Sequence, residues 1–100
     1  MIRHYLLLTL REDARPEDLQ AITEGFAALR EVIPEIAALT QGPALGLPGS
    51  SAQPADYAVA LDFASEADFQ RYIDHPAHRE FVRTRIAPLR TGGMSAQIRV

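Results

Sequence analysis

Three histidines, His4, His75 and His78, and three tyrosines, Tyr5, Tyr57 and Tyr72, are the side chains of this chain best suited to moving a proton. Tyr72 and His78 lie on either side of Pro76, and a bend at that proline would let them converge. An imidazole, with an ordinary pKa of about 6.5, offers both protonation states near neutrality. His78 therefore fits a general base that removes a proton beside a carbonyl, and Tyr72 a donor to the developing enolate oxygen. The same two residues also fit a scaffold, with His78 satisfying a helix-end backbone group and Tyr72 packed in the core. His75, just before Pro76, suits a helix N-cap. His4 shares a face with Leu6 and Leu8, as a cavity-lining or core histidine would.

Missing residue types exclude other chemistry. Without cysteine there is no disulfide, thiolate nucleophile or thiolate-bound metal. All ten basic residues are arginine, so no lysine can form a Schiff base. His4, His75 and His78 make a poor metal set, because Pro76 separates two of them and no carboxylate stands at a supporting spacing. We expect neither a metal nor a cofactor. A net charge of −3 gives no basic footprint for nucleic acid. No apolar run approaches a membrane span, and the first residues lack the pattern of a secretory signal. The expectation is a cytoplasmic protein.

The elements that must position these residues can be read from period and punctuation. The 100 residues suit one domain over 1–100. Residues 2–10 alternate as a strand with Ile2, His4, Leu6, Leu8 and Leu10 on one face and Arg3, Tyr5, Leu7 and Thr9 on the other. Pro16 opens a helix with Glu17 and Asp18 against its positive dipole end. Leu19, Ile22, Phe26, Leu29 and Ile33 form its apolar stripe, and Pro34 stops it near Val32 or Ile33. A weaker strand is expected over 35–41, and an exposed loop over 42–54. Residues 56–63 alternate with Tyr57, Val59, Leu61 and Phe63 on one side. Ser65 then caps a helix that carries Phe69, Tyr72 and Ile73 on one face. Pro76 opens a last helix with His78, Phe81, Val82, Arg85 and Leu89 inward, ended by Pro88 and Gly92-Gly93. Residues 94–100 close the chain as a strand.

The order β-α-β-β-α-β predicts an α+β, ferredoxin-like protomer. Its two helices cover one face of a four-stranded sheet and leave Tyr5 and Leu7 on an open one. Such an apolar patch asks for a partner, and a two-fold homodimer joined through the sheet faces is the simplest.

The segment Tyr72-Ile73-Asp74-His75-Pro76-Ala77-His78, with Phe81 one turn on, resembles the signature of the stress-responsive dimeric α/β-barrel family, Dabb. The opening Ile2-Arg3-His4 strand and the helix ending in Val32-Ile33-Pro34 are similar to the same family. The resemblance implies a dimeric α+β barrel. Members include plant stress proteins and a plant polyketide cyclase of the olivetolic acid type, in which the tyrosine and second histidine of the signature carry the chemistry. Those positions match Tyr72 and His78, and the cyclase's first-strand cavity histidine matches His4. A third cavity histidine falls on Tyr57 and a cavity tyrosine on Phe26. The pocket is thus related in outline and different in polar lining. His78 and Tyr72 are the expected catalytic pair, and His4, Phe26, Tyr57, Ile73 and Phe81 the expected substrate contacts.

Three functions follow as expectations. The first is cofactor-independent proton transfer, as cyclisation or isomerisation of a small apolar carbonyl compound. The second is a noncatalytic stress-response or hydrophobic-ligand-binding dimer. The third is an oxygenase of the wider dimeric ferredoxin-like superfamily.

Overall fold

The computed structural model describes residues 1–49 and 54–100. Four strands, β1 (Ile2–Leu10), β2 (Ala38–Pro43), β3 (Tyr57–Phe63) and β4 (Arg90–Arg99), form one sheet in the order β2-β3-β1-β4. Every pairing is antiparallel. The helices α1 (Pro16–Val32), α2 (Glu66–Asp74) and α3 (Pro76–Phe81) pack on one side, and the five-residue π-turn Val82–Ile86 continues α3. This is the ferredoxin-like α+β fold.

Alternation decides which residues the helices cover. In β1 Ile2, His4, Leu8 and Leu10 are buried, and in β3 Tyr57, Val59, Leu61 and Phe63 are. The register sets His4 opposite Leu61 on one side and Gln97 on the other. The α1 stripe supplies Ile22, Phe26 and Leu29 to the core, and Ile33 follows at its C-cap. His4 is the buried polar residue among those described.

Local chemistry accounts for the breaks. Asp18 accepts from the Arg15 N–H at 2.9 Å, which steadies the α1 entrance at Pro16. Ser65 Oγ accepts from the Asp68 N–H at 3.1 Å and starts α2. His75 closes α2 and opens α3, with its Nδ1 accepting from the Ala77 N–H at 3.0 Å. Its side chain is thereby committed to the turn, as a cap histidine.

Several expectations need adjustment. The final strand, expected over 94–100, already begins at Arg90 and holds Gly92 and Gly93 within it, and Arg85, expected inward, is exposed. The strand expected over 35–41 begins at Ala38, because Pro34 and Glu35 still turn while Ile36 drops into the core. It runs through Gly42 and Pro43, so the loop starts two residues later than expected. Pro43 sits at the end of an edge strand, where its missing N–H costs the sheet little. Residues 50–53 of the expected loop lie outside the described residues. The last helix widens at the π-turn, where the Ala87 N–H reaches the Val82 carbonyl at 2.8 Å just before Pro88, which has no N–H to donate.

Two glycines are fixed by neighbours rather than by turns. A Cβ on Gly25 would stand 2.0 Å from Phe81 Cε1, so α1 meets α3 through that missing side chain. A Cβ on Gly93 would stand 2.6 Å from the Leu7 carbonyl oxygen, next to the register shift between Thr9 and Leu10.

The other sheet face is open. Tyr5 and Leu7 of β1 and Met94 and Ile98 of β4 are exposed there, with cross-strand pairs Leu7–Met94 and Tyr5–Ala96. Arg3 bridges to Asp62, its strand partner, at 2.7 and 3.1 Å, and the guanidinium holds the Asp62 carboxyl below its usual range.

Candidate active site

β1, α2 and α3 bring three of the expected site residues into one aromatic cluster. His4 projects from β1, and its ring lies 5.0 Å from that of Phe69 and 6.4 Å from that of Tyr72. Tyr72 in turn lies 4.4 Å from His78 and 5.1 Å from Phe63. The break at His75-Pro76 makes the Tyr72–His78 contact possible, because it turns α3 back over the end of α2. Each residue comes from a different constraint: a strand face for His4, a helix stripe for Tyr72 and a capped turn for His78.

Hydrogen bonds fix both imidazoles. His78 Nδ1 lies 3.2 Å from the Ile73 carbonyl oxygen. A carbonyl only accepts, so the neutral ring carries its proton on Nδ1 and keeps its Nε2 lone pair free. Ile73 thus acts here through its backbone; its side chain, half-buried, packs against the core. His4 Nδ1 lies 2.8 Å from Gln97 Nε2.

Burial sets the protonation states. It is the main cause that pulls the His4 pKa down to about 4, with the neighbouring His78 contributing the rest. It also lowers that of His78, with the Ile73 carbonyl opposing and Arg79 and His75 adding to the effect. Burial raises the Tyr72 pKa well above the ordinary phenol. At neutral pH the cluster therefore holds two neutral imidazoles and one protonated phenol. The Tyr72 side chain is 1% exposed, and its hydroxyl has no hydrogen-bond partner among the described residues. Among the described residues no fully enclosed side-chain N or O lacks a partner, so the Tyr72 oxygen keeps a small contact with solvent.

The remaining expected contacts lie elsewhere in the core. Phe26 and Phe81 form an edge-to-face pair 4.8 Å apart, and neither ring stacks on His4, Tyr72 or His78. Phe81 lines a groove of about 460 Å³ between α1 and α3. Tyr57 is fully buried, donating to Gln41 Oε1 at 2.9 Å and bonded also to the Thr23 hydroxyl. Gln41 donates onward to the Thr23 carbonyl at 2.9 Å. Tyr57 therefore closes a satisfied internal network, and burial raises its pKa.

Sequence reasoning missed Phe69 and Gln97. Both touch His4, and both line a cleft of about 390 Å³ between α2 and β4 whose wall also includes Ile2 and Gln70. Arg99 and Glu66 meet across the same cleft at 3.2 Å. Phe69 was legible on the inward face of α2 with Tyr72. Gln97 carried no local signal, since only the β1–β4 register places it beside His4. Among the described residues no group of three or more His, Asp or Glu is placed to hold a metal ion, and no helix is long and apolar enough to cross a membrane.

A family model described as the stress-responsive A/B barrel domain, Dabb, matches residues 2–98. No curated protein matches the sequence. Among solved structures, a dimeric ferredoxin-like protein of unknown function from Thermobifida fusca is 30% identical, with a TM-score of 0.85 over 99% of this chain and 90% of that one. A Dabb family protein from Mesorhizobium loti is 23% identical, with a TM-score of 0.81 over 99% and 95% of the two chains. A hydroxynitrile lyase from Passiflora edulis is 21% identical, with a TM-score of 0.87 over 99% and 92%. At these last two identities the likeness is one of fold.

Proposed function

The chain belongs to the stress-responsive A/B barrel domain family, and from that premise we propose that it is a homodimeric, cofactor-independent enzyme of proton transfer. Its substrate is a small apolar carbonyl compound, which it cyclises, isomerises or cleaves. His78 Nε2 takes the proton from the carbon beside the carbonyl, and Tyr72 donates to the oxygen that gains charge. His4 completes the polar lining. The observation that carries this reading is the His78 geometry: Nδ1 bound to the Ile73 carbonyl, Nε2 free, and the ring 4.4 Å from Tyr72.

Two comparisons favour it. The Passiflora relative is a hydroxynitrile lyase, and releasing a carbonyl compound from a hydroxynitrile requires a base to take the hydroxyl proton. The segment from Tyr72 to His78 also resembles the signature of a plant polyketide cyclase of the olivetolic acid type, and that resemblance supports the same pair of residues. The Thermobifida protein is dimeric, and the exposed Tyr5, Leu7, Met94 and Ile98 give this chain an apolar face to bury. We assign that face to a second copy of the chain.

One observation favours a second reading, a noncatalytic dimer. A hollow beside the cluster, between α2 and β4, is walled by Phe69 and Gln97 and not by His4, Tyr72 or His78. On this reading the cluster is packing and the fold is a scaffold or an apolar-ligand carrier. Deuterium incorporation into cyclohexanone in heavy water separates the two. Exchange above the buffer rate that His78→Gln abolishes is the expected result; exchange equal in wild type and His78→Gln overturns the enzyme reading.

A further inference from the structure

We infer that Gln97 is a positioning residue that holds His4 as a neutral hydrogen-bond donor in the same cluster as His78, whose Nε2 is the acceptor. The inference rests on the proton-transfer reading for its purpose and on the hydrogen bonds for its content. β4 sets Gln97 directly across from His4, with its amide nitrogen 2.8 Å from His4 Nδ1. An amide NH₂ only donates, so His4 Nδ1 must accept and the ring proton must sit on Nε2. His78 has the reverse arrangement, because the Ile73 carbonyl only accepts. Two imidazoles flanking Tyr72 are thus held in opposite tautomers by two different partners.

That opposition is what an enolising site needs. When the C–H bond beside a carbonyl breaks, its proton passes to His78 Nε2. Its electron pair forms the C=C bond, and the carbonyl π pair moves to oxygen. The oxygen then needs donors, and His4 Nε2–H supplies one beside the Tyr72 hydroxyl. If His4 took the tautomer of His78, the site would offer two acceptors and one donor fewer. Burial already keeps His4 neutral, so its tautomer is the variable left to set. Gln97 is exposed on an edge strand and contributes little packing. Gln97 itself also lines the α2–β4 cleft, so it lies between that cleft and His4.

The test is imidazole ¹⁵N NMR of the full chain at neutral pH, paired with cyclohexanone exchange. We expect wild-type His4 to be unprotonated on Nδ1 and protonated on Nε2, with His78 the reverse. In Gln97→Glu the carboxylate accepts from Nδ1–H, so the His4 tautomer inverts while that of His78 stays. Exchange then falls about 10²-fold, the usual loss when one oxyanion donor is removed. Gln97→Met releases His4 to a mixture of tautomers. Wild-type His4 protonated on Nδ1, or a tautomer unmoved in both variants, overturns the inference. If the tautomers behave as stated while His78→Gln leaves exchange unchanged, the positioning by Gln97 stands and the enzyme reading falls.

Discussion

Tyr72 and His78 face each other at a ring separation of 4.4 Å across the Pro76 break, although α2 ends before α3 begins. On the proposed mechanism the pair acts as one unit, so its two deletions should not add. His78→Gln removes the base while keeping a side chain able to donate to the Ile73 carbonyl. It should lower cyclohexanone exchange by about 10² to 10⁴. Tyr72→Phe keeps the ring packing and should cost about 10² in rate. Exchange rates in the two single variants and the double variant check this.

Exchange and stability should both fall in acid, for separate reasons. As the proposed base His78 works only as the neutral ring, and its pKa is lowered from 6.5 chiefly by burial. Exchange should therefore be flat at neutral pH and decline with a midpoint below 6.5. For stability, His4 titrates near 4 in the folded protein and near 6.5 once unfolded. Between those values the unfolded chain binds the extra proton, so stability is full above about 6.5 and is lost as pH falls toward 4. The loss is on the order of 3 kcal/mol. Urea titrations from pH 7 to 4 should show it, and His4→Gln should flatten the slope.

How far the sequence reveals the site depends on the range of the interaction. Pro16, Ser65 and Pro76 mark helix starts that local hydrogen bonding alone dictates, and all three hold. The alternation of Ile2, His4 and Leu8 assigns the faces of β1 correctly. The role of His75 as a cap also follows from its neighbour Pro76. The widening at Val82–Ile86 does not announce itself, because its apolar spacing passes for an ordinary helix. Gln97 reaches His4 across 93 positions of chain, and nothing in its own strand's alternation selects it. Ile73 looks like an apolar contact in sequence and acts through its carbonyl, which composition never displays.

Gly25 looks like a weak point in α1 and is instead a fitted one. Replacing it with alanine gains about 1 kcal/mol of helix propensity but puts a methyl 2.0 Å from Phe81 Cε1. That ring is backed by Phe26 at 4.8 Å, so it could yield only by giving up that edge-to-face packing. Overpacking of this kind costs about 1 to 3 kcal/mol. Gly25→Ala should therefore lower the urea midpoint with the slope unchanged. A rise in the midpoint would mean that α1 and α3 can part without loss.

The open sheet face should behave as an interface between two copies. Leu7 and Met94 are strand partners, and they remain 38% and 70% exposed in the protomer. A two-fold axis through this face sets each patch against its own copy, so a single charge becomes a like-charge pair when two chains meet. Leu7→Glu combined with Met94→Glu should give a monomer at micromolar concentration by sedimentation, where the unmodified chain gives a dimer. Because neither side chain enters the core beneath the helices, the variant should still fold. Its thermal midpoint should no longer rise with protein concentration, as that of the dimer should. A monomeric unmodified chain at the same concentration would leave Tyr5, Leu7, Met94 and Ile98 facing water and would remove the homodimer from the functional proposal.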